Sequence, residues 1–118
     1  MTKSKKERFP KDGITETIVW LTDFVEHLEH ERDVLGLRRD NDYFSRSYLY
    51  LIRQSHRIKK ELFVLDEQYY EKFLRLFRQY HLMRQPATQG GKEVLQELID
   101  ISLAERAYLR NRLTEEFK

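Results

Sequence analysis

Apolar residues in this chain recur at alternating steps of four and three along most of its length. Ile14, Ile18, Leu21, Val25, Leu28 and Leu35 follow the rule, with Arg32 in the missing place. Phe44, Tyr48, Leu51, Ile58, Leu62 and Leu65 repeat it, interrupted by Ser55, and Tyr69, Phe73, Leu76, Tyr80 and Met83 repeat it again. That period lines one side of an α-helix with apolar groups. A fourth set, Val94, Leu95, Leu98, Ile99, Ile101, Leu109 and Leu113, gives one more apolar side. Helices with one apolar side must bury it against each other. The expected fold is therefore all-α: an antiparallel bundle of about four helices, near 13–35, 42–63, 66–84 and 92–116. The chain has 118 residues, 40% of them hydrophobic, which suits one domain with its own core. That domain is expected to span 13–118, behind a flexible basic tail over 1–12.

The boundaries rest on local chemistry. Phe9-Pro10 reads as a break. Gly36 suits a left-handed helix end, and Asp40, Asn41 and Asp42 can each cap a new helix. Asp66 reads as an N-cap, with Leu65 and Tyr70 placed to close over it as a hydrophobic staple. Arg84 to Gly91, with one Pro and two Gly, reads as a loop. The middle of the last helix is unusual. Ser102, Ala104 and Ala107 are small there, and Glu105 and Arg106 stand where the apolar stripe should continue. The pattern predicts either a closely approaching helix or a buried polar pair. Buried tyrosine hydroxyls will need partners, and Arg32, Ser55, Ser102 and Glu105 are the candidates.

Several classes of function are disfavoured. There is no Cys, so neither a disulfide framework nor thiolate chemistry is available. No apolar run approaches the ~20 residues of a membrane span, and no secretory signal opens the sequence, so the expected location is the cytoplasm. Charged residues make up 36% but nearly cancel to +2. Any case for a polyanionic partner must therefore rest on where the charges lie.

They lie unevenly. Arg46, Tyr50, Arg53, Arg57 and Lys60 are spaced four, three, four and three, opposite the Phe44-Leu51-Ile58 stripe, and Arg38 and Arg39 extend the row into the preceding loop. Cations so spaced can contact successive phosphates, and Tyr50 can stack on a base. The first helix carries the reverse pattern. Glu26, Glu29 and Asp33 flank its core stripe, with Asp23 nearby. This acidic row is read as bordering the core and the basic row as facing straight out, so the two should meet between copies of the protein rather than within one.

Two further motifs carry candidate chemistry. In Glu26-His27-Leu28-Glu29-His30-Glu31, His27/Glu31 and Glu26/His30 are one turn apart and could chelate a cation. They fall mainly on the exposed side of the helix, and no Glu in the chain has His three residues later, as a di-iron bundle needs. No metal and no cofactor are expected. Arg75 and His81 form an Arg-x5-His pair, which resembles the motif of the small helical HEPN ribonucleases. Leu76 stands where that family favours a polar residue. The resemblance covers seven residues and implies, as a third option, RNA cleavage.

The leading expectation is a non-enzymatic accessory or regulatory protein. It would associate with nucleic acid through the basic helix face, alone or as a small subunit of a larger assembly. The alternative is a protein-interaction module: an adaptor, an inhibitor or an oligomerising subunit. No small-molecule substrate and no membrane are indicated.

Overall fold

A computed structural model describes residues 10–35, 46–61, 65–83 and 89–116. It has four helices: α1 (Pro10–Leu35), α2 (Arg46–Glu61), α3 (Glu67–Met83) and α4 (Gln89–Glu116). The expected second and third helices, 42–63 and 66–84, extend beyond the described residues, and Gly36, Asp40, Asn41, Asp42, Phe44 and Leu62 lie outside them.

Side-chain pairs give the direction of each helix. Trp20 donates to Gln54 at 2.6 Å and Asp23 accepts from Tyr50, so α1 and α2 are antiparallel. Asp66 pairs with Glu105 and Tyr69 with Ser102, so α3 and α4 are too. Thr22 with Arg106 and Arg32 with Gln96 set α4 antiparallel to α1. Phe24 meets Phe73, and seven residues on in each helix Glu31 meets Tyr80. That equal step makes α1 and α3 parallel, touching across the core by long side chains. The helices thus run up, down, up, down around a square, with α1 and α3 on one diagonal. The pairings are unequal. α1 and α4 pack most extensively, α3 packs well on α4, and α2 meets α3 only lightly.

The core follows the apolar period with one shift. Ile14, Leu21 and Leu28 are fully buried as expected, but Ile18 is half-buried and Arg32 half-exposed. Thr17, Phe24 and Glu31 occupy the inner positions instead. The stripe turns because α1 must reach across to α3 as well as sideways to its neighbours. The two polar members are satisfied: the Thr17 hydroxyl donates to the Gly13 carbonyl at 2.8 Å, and Glu31 accepts from Tyr80. Tyr48, Leu51 and Ile58 of α2 are buried, as are Tyr69, Phe73, Leu76 and Tyr80 of α3 and Val94, Leu95, Leu98, Ile99 and Leu109 of α4.

Two boundaries differ from expectation. Pro10 is the first residue of α1 rather than a break before it. At that position its missing N–H costs nothing and its fixed φ suits the helix. Residues 10–12 therefore belong to α1, while 1–9 lie outside the described residues. Gln89, Gly90 and Gly91 belong to α4 rather than to the loop, and Gly91 is buried, so a side chain there would meet the core.

The start of α3 explains Glu105. Asp66 caps the helix, its carbonyl accepting the first backbone bond from Tyr70 at 3.0 Å. Its own N–H donates to Glu105 Oε2 of α4 at 2.8 Å. A carboxylate from another helix does what the third residue of a capping box does in sequence. Glu105 is thus buried without an Arg106 partner, because Arg106 turns the other way, to Thr22. Burial raises the Glu105 pKa, the nearby Asp66 charge adds to this, and the Asp66 N–H and Arg112 oppose it. The folded chain then holds this proton more tightly than the unfolded chain. Stability should fall as pH rises from the ordinary carboxylate range through the elevated value. Glu105→Gln keeps the acceptor and loses the charge. In denaturation curves across mildly acidic to neutral pH it should flatten that slope and equal or exceed the wild type at pH 7. Glu105→Ala loses the acceptor and should cost about 1 kcal/mol.

Candidate nucleic-acid interface

The basic row on α2 does not point straight outward. Its Tyr50 leans onto α1, stacked on the His27 ring at 3.6 Å and 9°. The Tyr50 hydroxyl donates to Asp23. Partial burial raises the Tyr50 pKa, as do the hydrogen bond and the charge of Asp23, so the phenol stays protonated and keeps donating. Tyr50 is therefore committed within the chain and does not offer a free stacking face. This corrects the expectation that acidic and basic rows meet only between copies, since Asp23 and Tyr50 join α1 to α2 in one molecule. The reason is rotational: Tyr50 sits on the flank of α2 that turns toward α1, as Gln54 does toward Trp20.

The remaining members divide. Arg53 is exposed. Arg57 is half-buried, 3.5 Å from Gln54 Oε1. Arg46 and Lys60 belong to α2, but their side chains, like Arg38 and Arg39, lie outside the described residues. Of the acidic row, Glu26 and Asp33 are exposed on the outer face of α1 rather than bordering the core. Glu29 is half-buried, and Asp33 accepts from Arg32 at 3.2 Å.

The basic surface continues where the spacing on α2 gave no hint. On α3, Arg75 and Arg78 are exposed on the side away from the Tyr69-Phe73-Leu76-Tyr80 stripe, and Lys72 is exposed on the stripe's flank. Arg75 and Arg78 line a shallow surface depression with Glu71, Leu74, Gln79 and Leu82. Counting charge by helix would have found them. α2 and α3 together carry eight Lys and Arg against three Asp and Glu; α1 and α4 carry six against thirteen. Because α2 and α3 form one side of the square and α1 and α4 the opposite side, charge is segregated across the bundle. Three cations of the acidic side turn toward neighbours, while Arg110 of α4 is exposed. Arg32 reaches Gln96 and Asp33, Arg106 reaches Thr22, and Arg112 lies over the Tyr108 ring at 6.0 Å.

The alternative chemistries find less geometry. Arg75 faces the depression, whereas His81 lies against Tyr48 of α2, its Nδ1 hydrogen-bonded to the Tyr48 hydroxyl and the two rings 5.9 Å apart. The Arg-x5-His pair thus points two ways. In the acidic-histidine segment, Glu31 is turned into the core while Glu26 and His30 are exposed. Among the described residues no group of three or more His, Asp or Glu is arranged to hold a metal ion. No helix among them is long and apolar enough to cross a membrane.

The tyrosine partners were only partly foreseen. Tyr69 pairs with Ser102 at 2.9 Å, as expected. Its pKa is raised by burial, with the Glu105 charge adding to this and Ser102 opposing it. Tyr80 donates to Glu31, which its spacing placed on the exposed side of α1, and Tyr48 pairs with His81. Ser55 donates instead to the Ile52 carbonyl.

No known protein family matches the chain, and neither a curated protein nor a solved structure is significantly similar to it.

Proposed function

We infer that this chain is a non-enzymatic, cytoplasmic accessory protein that associates with nucleic acid through the α2–α3 side of its bundle. The observation that carries the reading is the uneven division of charge, with exposed Arg53, Lys72, Arg75 and Arg78 on the α2–α3 side against Glu67 and Glu71, and most of the carboxylates on the other side. A net charge of +2 spread evenly would offer a polyanion little. Collected on one side, the same cations make a local positive field that phosphates would enter. With Tyr50 committed to His27, the face offers guanidinium and ammonium groups rather than stacking rings. It is suited to backbone phosphates and not to base edges, so binding should depend little on sequence.

Salt dependence tests this. A short DNA duplex and the RNA duplex of the same sequence, titrated by fluorescence anisotropy, should bind with affinity that falls linearly in log–log form. Four phosphate contacts at ~0.9 each predict a slope of about −3 to −4. Binding with no salt dependence, or none at low salt, would contradict the reading.

A further inference from the structure

The opposed charges of the two sides bear on more than nucleic acid. α1 exposes Glu26 and Asp33, and α4 exposes Glu93, Glu97 and Asp100. On the opposite side stand Arg53, Lys72, Arg75 and Arg78, with Glu67 and Glu71 as acidic exceptions on α3 and Arg110 as a basic exception on α4. Each side also exposes large apolar groups: Val19 at 64% on α1, and Leu49 at 48% and Leu82 at 76% on α2 and α3. A charged surface with an apolar anchor is the make-up of a specific contact, since charge steers the encounter and the anchor desolvates.

We propose that copies of this chain associate head to tail, the acidic α1–α4 side of one docking on the basic α2–α3 side of the next. The occupant follows from charge complementarity. Two like sides would repel, which disfavours a two-fold dimer through either one. A contact between unlike sides leaves one acidic and one basic side free in every pair, so it repeats. The row of Asp23, Glu26, Glu29 and Asp33 expected to mediate self-association is thereby revised. Asp23 serves Tyr50 within the chain, and α4 supplies the carboxylates that α1 alone lacks. Being electrostatic and exposed, the contact weakens as salt screens it. It does not depend on the nucleic-acid reading, and no nucleic acid enters its test.

Sedimentation velocity of the full chain decides it. At low salt the weight-average mass should rise with concentration past twice the 14.5 kDa of one chain, and return to 14.5 kDa at high salt. A basic-side variant (Arg53→Gln, Arg75→Gln, Arg78→Gln) and an acidic-side variant (Glu26→Gln, Glu93→Gln, Glu97→Gln) should each be monomeric alone. Mixed, they should form a 1:1 pair that does not grow, because each retains one intact side. A wild-type chain that stays monomeric at low salt overturns the proposal. So does a basic-side variant that still associates with itself, or a wild-type mass that stops at a dimer.

Discussion

Replacing Arg53, Arg75 and Arg78 together by Glu is expected to weaken duplex binding at least about 100-fold. Hydrogen bonds to charged groups contribute roughly 1.5–3 kcal/mol each, and ~1.4 kcal/mol is a factor of ten in affinity. Losing two or three such contacts already exceeds that figure, and the new carboxylates add repulsion. All three side chains are exposed, so circular dichroism of the variant should match the wild type. The opposite control matters equally. Glu26→Gln with Glu97→Gln, on the acidic side, should leave binding unchanged or slightly tighter. If both variants lose binding alike, the loss is not specific to the α2–α3 side.

The second large effect belongs to the core. Phe73 is fully buried and lies against Phe24 at 5.4 Å edge-on, Tyr69 at 6.2 Å and Phe77 at 5.7 Å. Through Phe24 it joins Tyr80–Glu31 in closing the α1–α3 diagonal. Phe73→Ala removes that contact and leaves a cavity between helices that meet only through long side chains. It should cost about 3–5 kcal/mol, a large share of the ~5–15 kcal/mol of a typical domain. Chemical denaturation measures it. A loss below ~1 kcal/mol would mean that Phe73 does not hold the diagonal.

What could be read from the chain beforehand has a clear physical limit. Helical period sorts residues by face, and for Leu21, Leu28, Leu51, Phe73 and Leu98 it did so without structure. Period cannot say how far each helix is rotated against its neighbours. A modest rotation of α1 put Thr17 and Glu31 inside in place of Ile18 and Arg32. A comparable turn of α2 carried Tyr50 from the outer face onto His27. Both outcomes depend on partners more than twenty residues away, Tyr80 for Glu31 and Tyr50 for Asp23 and His27. Boundaries had a different difficulty. Pro10 is as consistent with a first helical residue as with a break, and no local signal separates the two. The α3 cations went unread because their neighbours are mixed in charge. They matter only once α2 and α3 are known to share a side.

The most direct measurement is the change in backbone amide shifts when a short duplex is titrated at a salt and protein concentration at which the chain is monomeric. The account predicts changes along α2 and α3, centred near Arg53 and between Lys72 and Arg78, with the outer faces of α1 and α4 unmoved. Changes centred on α1 or α4, or none at all, would contradict it.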